Sequence, residues 1–281
     1  MPPHLRPRPE RSAVRQVFSP SMLWRIAGGI LVIVLVIGAW TLSRMPAGST
    51  GVAPRQSRPA ALGPFDGTPA ASFTAGAAGI TMPEPEAVDG WSASQVSKAL
   101  SMVKQALVAG HLDRRMLVRR QTDAFVALFA KDARSEIRDR FLAGRFSGAA
   151  VRVAPTATLA AEQPRVRGTT EVGTSTAGNG LAVLEITTNY IWVYPFAGAS
   201  ASPGDRLVIV HDTQRWWIYH RGEVTSASAG LWLNRSEAYA FNTDCGIDKA
   251  YIAPPPAGQR KIPPVTIYDP DMPPSIPNPC G

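Results

Sequence analysis

One run of uncharged residues limits what this chain can fold into more than any other feature. From Ile26 to Ser43 no charged side chain occurs, and Ile, Leu and Val fill most of the centre. As an α-helix, at about 1.5 Å per residue, the run spans most of a hydrocarbon layer roughly 30 Å thick. A helix buried in a soluble core would show polar residues at helical spacing, and none occurs before Thr41. The run therefore predicts a transmembrane helix over residues 26–43.

The charges on either side of this run predict its orientation. Five arginines precede it, and only Arg44 follows it directly. Because short cytoplasmic segments carry the excess of Lys and Arg, residues 1–25 are expected inside the cell and the rest outside. A cleaved signal peptide is the alternative, but its apolar core is shorter and is followed by a small-residue cleavage site. We therefore expect an uncleaved anchor in the cell membrane, with a single pass.

The net charge of +8 does not indicate a nucleic-acid partner. About half of it belongs to the arginines of the 1–25 tail, where orientation already accounts for them. The remainder is spread along the chain, whereas nucleic-acid binders carry a clustered basic stripe. No nucleic-acid binding is therefore expected.

Composition divides the part outside the membrane into three regions. Residues 44–90 are rich in Ala, Gly, Pro and Ser with few apolar clusters, which predicts a flexible linker. Residues 91–245 have the periodic apolar pattern of a folded domain. Residues 246–281 contain many prolines, including Pro254-Pro255-Pro256, which predicts an extended tail. The tail is expected to wrap its own domain rather than to serve as a ligand for a partner's groove.

Within the domain, helices precede strands. A helix capped by Ser92 or Ser94 is expected to run to Gly110, since Val96, Leu100, Val103 and Leu107 recur at helical spacing. Further helices are predicted over 112–129 and 135–142. Strands are predicted over 150–159, 165–174, 181–194, 206–212 and 215–225. This order predicts an α+β domain in which N-terminal helices pack on a curved antiparallel sheet.

The two cysteines, Cys245 and Cys280, both fall on the side predicted to be oxidising. A disulfide between them is the favoured interpretation, and two free thiols are the alternative. A bridge of this span stabilises a fold by very roughly 3 to 4 kcal/mol in the chain-entropy model.

No catalytic, cofactor-binding or metal-binding signature occurs in the sequence. A two-residue turn predicted at Thr213-Gln214 would place His211 and His220 on one sheet face, but some 13 Å apart, too far to share a metal ion. The adjacent His211 and Asp212 point to opposite faces and cannot form a dyad. We therefore predict no catalytic residue, no cofactor and no metal, and we expect these histidines to be ordinary strand residues.

The region 91–225 resembles the nuclear-transport-factor-2-like family of cone folds. The resemblance rests on the helices, the long strand 181–194 and the predicted closing hairpin 208–219 with its Trp216-Trp217-Ile218 segment. Together with a short basic tail and one anchor, the chain is similar to the membrane-anchored members of that superfamily. These are scaffolds in conjugation and secretion machines, and accessory proteins of actinobacterial envelope transporters. The resemblance implies a cone-like sheet and no functional residue.

Three classes of function remain open on this basis. The first is a non-enzymatic accessory or scaffold component of a secretion, conjugation or transport complex of the envelope, with protein partners there and with homo-oligomerisation left open. The second is a binding module for a small lipid or cell-wall ligand in a cone cavity lined by Tyr190, Trp192, Trp216 and Trp217. The third, a catalytic domain, requires an interior His, Asp and Tyr within hydrogen-bonding reach.

Overall fold

Five antiparallel strands form an open sheet in which neighbouring strands follow one another along the chain. The computed structural model describes residues 62–143, 148–198, 202–248, 250–260 and 264–272. The strands are β1 (Thr74–Ala75), β2 (Arg165–Thr176), β3 (Ala182–Pro195), β4 (Leu207–Tyr219) and β5 (Leu231–Phe241). Their order in the sheet is β1-β2-β3-β4-β5, and every pair is antiparallel. With the helices that precede β2, the sheet confirms the predicted α+β class.

Among the residues that the structure describes, four α-helices lie between β1 and β2. They are α1 (Ala93–His111), α2 (Arg114–Leu117), α3 (Asp123–Val126) and α4 (Arg134–Leu142). Ser92 caps α1 as predicted, and it does so in a capping box with Gln95, which satisfies backbone N–H groups at the helix start. The prediction of a single helix over 112–129 is wrong, because this segment forms two one-turn helices. Arg120, which lies between them, has a left-handed φ of 59°.

The larger core lies between the helices and one face of the sheet, which we call the inner face. Successive residues of a strand point to opposite faces, so the even-numbered residues of β3 and β4 form this face. The apolar stripe predicted for α1 is buried against it. The fully buried members include Val103, Leu107, Leu184, Ile186, Trp192, Tyr194, Val210 and Trp216.

The opposite, outer face carries a second core built by the two ends of the folded unit. Residues 62–82, which we call the strap, bring Phe65 and Phe73 onto Ile191 and Ile209, and a short helical turn, Val265–Tyr268, packs beside them. One compact unit spans Ala60–Gly281. From residue 62 to 90, the predicted flexible linker is therefore part of the folded unit, because it pairs with β2 and buries aromatic side chains. Residues 44–61 lie outside the described residues.

The predicted turn at Thr213-Gln214 is absent, and β4 is one continuous strand. Thr213 pairs with Asn189, and Gln214 pairs with Thr188, in an unbroken register with β3. The irregularity in this part of the sheet is a bulge against β5, between Arg215 and Trp216. The prediction of a closing hairpin over 208–219, on which the family resemblance partly rested, is therefore wrong, because these residues lie in one continuous strand.

Two other strand predictions also differ from the structure. Residues 150–159 form only isolated bridges, Val153 with Ile252 and Leu159 with Phe196, instead of a strand. The fifth strand of the sheet, β5, comes from the segment after Ser226, where no strand was predicted.

Among the described residues, no helix combines the length and the apolar character needed to cross a bilayer. The predicted basic tail 1–25 and transmembrane helix 26–43 lie outside those residues, so both stay predictions.

Candidate functional site

A group of polar side chains lies in the middle of the inner core. His111, Asp212 and Gln214 have 0% of their surface exposed, although each carries hydrogen-bonding or ionisable groups. Trp192 and Tyr194 of β3 contact them, and we call these five residues the inner polar centre. Buried polar groups destabilise a fold unless they find partners, so the pairing of each atom decides what this centre can do.

Secondary structure places the five side chains together. His111 is the last residue of α1 and continues that helix's buried stripe one turn beyond Leu107. Asp212 and Gln214 occupy successive inner-face positions of β4, and Trp192 and Tyr194 occupy successive inner-face positions of β3. The centre therefore joins the C-terminal end of α1 to the two central strands.

The hydrogen bonds of Gln214 define the state of His111. Gln214 Nε2 donates to the Gly148 carbonyl oxygen at 2.9 Å, and the same nitrogen lies 3.2 Å from His111 Nε2. An amide nitrogen carries only donors, so His111 Nε2 must accept, and the proton of the neutral ring is on Nδ1. Burial lowers the pKa of His111 to about 3, against a smaller opposite effect of its hydrogen bond with the Ala149 backbone. His111 is therefore a neutral imidazole.

Asp212 is the acidic neighbour of this imidazole. Its Oδ2 accepts from Trp192 Nε1 at 2.8 Å and lies 3.4 Å from His111 Nε2. Because His111 Nε2 also accepts, no hydrogen bond joins these two atoms. Burial raises the pKa of Asp212 well above its ordinary value, although hydrogen bonds from Trp192 and Gln214 oppose the shift. Burial therefore favours the uncharged form of both groups.

The unpaired atoms of the centre agree with a protonated Asp212. Asp212 Oδ1 and Gln214 Oε1 are buried acceptors without a hydrogen-bond partner. A proton on Oδ1 would convert that atom from an acceptor into a donor. An uncharged carboxyl group costs less to bury than a carboxylate, so the unpaired oxygen favours the protonated form.

Tyr194 and Trp192 complete the packing around the imidazole. The Tyr194 hydroxyl donates to the His111 carbonyl oxygen at 3.2 Å, which pairs a carbonyl at the helix end that has no partner within the helix. The Trp192 indole stacks on the His111 ring with centroids 4.2 Å apart and planes 11° apart. The centre thereby fixes the end of α1 on the sheet.

An interior His, Asp and Tyr can carry out acid–base chemistry, but here all three side chains are fully buried. His111, Tyr194 and Asp212 have no accessible surface, so neither bulk solvent nor a void the size of a water molecule touches them. A substrate cannot reach a reacting atom here in the described conformation. The centre is a structural network.

A second polar group lies directly behind the first, on the outer face. His211 Nε2 and Asn189 Oδ1 are 2.7 Å apart, and the Asn189 amide nitrogen donates to the Pro270 carbonyl oxygen at 2.7 Å. Burial lowers the pKa of His211, and the charge of Asp269 opposes that shift. The group fastens the C-terminal tail to the sheet.

The four residues predicted to line a cavity do not share one. Tyr190, Trp192 and Trp216 lie on the inner face with 0% exposure, so they are core side chains. Trp217 lies on the outer face and donates from Nε1 to Glu185 Oε2 at 2.7 Å. The prediction of a cavity lined by all four is therefore not supported by their positions.

The histidines singled out in the sequence and Cys245 lie at separate places in the structure. His220 stacks on Trp91 with centroids 3.7 Å apart, whereas His211 bonds Asn189, so the two histidines serve different contacts. No group of metal-ligating side chains occurs within the described ranges. Cys245 is exposed and is not a free thiol. Its predicted partner Cys280 lies outside the described residues, so that pairing stays a prediction.

Sequence reasoning missed His111 and Gln214 as members of a site. The signal for His111 was its position four residues after Leu107 on the apolar stripe of α1. The signal for Gln214 was its place in the even-numbered series from Val208 to Ile218, which the prediction of a turn interrupted.

Comparison with known proteins yields no relative for this chain. No protein-family model matches it, and neither does any curated protein or solved structure. Its function must therefore be inferred from its own residues.

Proposed function

We propose that this chain is a single-pass membrane protein whose folded unit acts outside the cytoplasm, as a non-enzymatic accessory or scaffold component of an envelope complex. The observation that carries the proposal is the uncharged run 26–43, with five arginines before it and only Arg44 directly after it. Such a run is typical of a membrane anchor, and the arginines favour a cytoplasmic N-terminus. Secretion, conjugation and transport complexes of the envelope are the assemblies that this layout fits.

The sealed inner polar centre supports the non-enzymatic part of the proposal. Among the described residues, it brings a histidine, an aspartate and a tyrosine together, and no surface of the three is accessible. Acid–base catalysis needs a group within hydrogen-bonding reach of the substrate. A scaffold needs only a stable unit and a surface, and the centre contributes to the stability of such a unit.

The finer description of the fold is also a proposal: a curved, cone-like sheet of the nuclear-transport-factor-2-like kind. Helices that precede an antiparallel sheet and cover one of its faces support it. The closing hairpin that contributed to the resemblance is absent, so the proposal rests on architecture alone. Fold by itself does not choose a function, since cone folds host enzymes, binders and scaffolds.

A cavity-based binding module is less well supported. Its ligand would have to contact the aromatic residues of the inner face, and Tyr190, Trp192 and Trp216 are completely covered by protein. We therefore do not extend the proposal to a lipid or cell-wall ligand.

The test is crosslinking of the full-length chain in intact host cells, followed by purification and identification of the captured proteins. A matched control replaces residues 26–43 by an unrelated transmembrane helix and keeps the folded unit. We expect a defined set of envelope proteins to be captured by both versions, because the folded unit makes the contacts. Recovery of the chain alone from both versions would contradict the scaffold proposal.

A further inference from the structure

The β2 strand leaves most of one edge of the sheet unpaired. β1 covers only Arg165 and Val166 of β2, whereas β2 pairs with β3 along its whole length. Among the described residues, no backbone group pairs with the β2 edge between Gly168 and Thr176. A long open edge exposes a row of N–H and C=O groups, and native proteins normally cover it.

The bonds at the start of this edge show which backbone groups face outward. The Gly168 carbonyl accepts from the Thr81 hydroxyl at 3.3 Å, on the side away from β3. Because the backbone groups of a strand alternate in direction, those of Thr170 and Val172 face the same way. Both residues therefore present an N–H and a C=O for which the described protein offers no partner.

An extended segment of the chain stands opposite this edge without pairing with it. Residues 82–88 leave β2 after the Thr81 contact and return where the Thr174 hydroxyl donates to Asp89 Oδ2 at 3.2 Å. Between the two contacts lies a groove of about 540 Å³, which is within the size range of ligand sites. Val88, Val96 and Val172 form its apolar wall.

The charge of the groove is uniformly negative. Glu84, Glu86 and Glu171 line it, and neither Lys nor Arg belongs to its lining. All three carboxylates lie on exposed residues, so they can meet a ligand from solvent. A second copy of this chain, pairing edge to edge through β2, would bring the two sets of carboxylates together, and like charges facing each other are destabilising. The complementary occupant is a basic one.

We propose that this groove binds an extended, basic segment of a partner protein by strand addition to β2. Main-chain bonds to Thr170 and Val172 supply the pairing, the valines accept apolar side chains, and the three glutamates select Lys or Arg at alternate positions. This proposal deepens the scaffold function above and rests on it, because it names the surface and the chemistry of the partner segment.

The binding test uses the full-length protein in detergent and a fluorescein-labelled peptide in which Val and Lys alternate. We expect saturable binding by fluorescence anisotropy, and little binding of the matching peptide with Glu in place of Lys. Val172→Pro removes an outward N–H and keeps the pairing with β3, so affinity should fall by about tenfold or more. Val172→Thr keeps the N–H and the branched shape, so it should lose much less affinity than Val172→Pro.

A second pair of variants tests the charge and covers the case in which Val172→Pro does not fold. Glu84→Lys combined with Glu86→Lys should weaken binding of the Lys peptide by about tenfold or more, since both side chains are exposed. Glu223→Lys, on an exposed loop elsewhere, should leave it unchanged. Equal binding of the Lys and Glu peptides, or groove variants that bind like the wild type, would overturn the proposal. A concentration-dependent dimer abolished by the groove variants would also overturn it.

Photocrosslinking in cells separates this proposal from the scaffold proposal. A photoreactive residue at Glu86 should capture a partner, and one at Glu223 should not. Capture from Glu223 with none from Glu86 would refute the groove while leaving the scaffold in place. If neither position captures a protein and the whole-chain crosslinking is also empty, both proposals fail.

Discussion

His211 and Asp212 are neighbours on β4, yet they belong to two different kinds of polar group on the two faces of the sheet. Asp212, on the inner face, is held with His111 and Gln214 where no solvent reaches. His211, on the outer face, bonds Asn189, which in turn holds the tail at Pro270. The inner group joins a helix to the sheet at the centre of the larger core, whereas the outer group holds a terminal segment.

The difference shows how burial decides the chemistry of identical residue types. No water can replace a lost partner on the inner face, so burial disfavours charge there: it lowers the pKa of His111 and raises that of Asp212. On the outer face the tail covers His211, and local opening of the tail would expose that group to solvent. We therefore expect substitutions in the inner polar centre to affect global stability, and those in the outer group to affect mainly the tail.

The largest effect is expected from His111→Ala. It removes a fully buried ring that stacks on Trp192, and it takes one buried contact from each of Gln214 and Asp212, which should lower the free energy of unfolding by roughly 3–5 kcal/mol. Chemical denaturation followed by circular dichroism measures this loss. The matched variant His211→Ala should cost about 1–2 kcal/mol. Equal losses from the two variants would remove the distinction between the faces.

The next effect concerns the pH dependence of stability in Asp212→Asn. Folded His111 stays unprotonated down to about pH 3, whereas the unfolded residue binds a proton below its ordinary pKa of 6.5, so its contribution makes stability rise with pH between those values. Asp212 acts in the opposite sense. Its folded pKa is raised above the unfolded 3.8, so its contribution makes stability fall as pH increases beyond that value. In the wild type the two slopes oppose each other.

Asparagine keeps the shape of a neutral Asp212 and does not titrate, so the variant retains only the slope from His111. We expect its stability relative to the wild type to rise as pH increases above the unfolded aspartate pKa of 3.8, by at most about 1.4 kcal/mol per pH unit. Denaturation curves at several pH values test this. A difference independent of pH would mean that folded Asp212 titrates like the unfolded residue. An ionised Asp212 paired with a charged His111 binds the same number of protons as the neutral pair, so it would be indicated instead by an Asn variant much less stable than the wild type at neutral pH.

The smallest effect is expected from Asn189→Ala on the outer face. The variant loses the bonds to His211 and to the Pro270 carbonyl, so the free energy of unfolding should fall by only about 1 kcal/mol. The tail should be released more readily, and chymotrypsin should cleave after Tyr268 faster than in the wild type. Thr187→Ala, on the same face of β3, is the control and should leave the cleavage rate unchanged. Unchanged cleavage of Asn189→Ala would mean that this group does not hold the tail.

The inner polar centre also explains where prediction from sequence succeeded and where it failed. The α1 helix was predictable because its cap, Ser92, and its apolar stripe are local signals. The turn in β4 was predicted because Asp212-Thr213-Gln214 has the polar composition of a turn. In the structure Asp212 and Gln214 are buried in the strand interior, held there by His111 from a distant helix. A local pattern cannot register a partner 103 positions away.

The outer face escaped prediction for a related reason. The strap contains few apolar residues, so its composition resembles a flexible linker, but Phe65 and Phe73 find an already formed sheet to pack on. The fate of such a segment depends on tertiary contacts that its own sequence does not encode locally. The strand alternation of β2 and β3, by contrast, was strong enough to place both strands to within a few residues.

Membrane topology is the measurement that tests the central claim, a folded unit held outside the cytoplasm by one anchor. Alkaline phosphatase and green fluorescent protein are fused separately after Gly281 of the full-length chain, since the first becomes active only in an oxidising compartment and the second fluoresces in the cytoplasm. The account predicts an active phosphatase fusion and a dark fluorescent fusion, with both in the membrane fraction. A fluorescent fusion with inactive phosphatase would place the folded unit inside the cell and contradict the account.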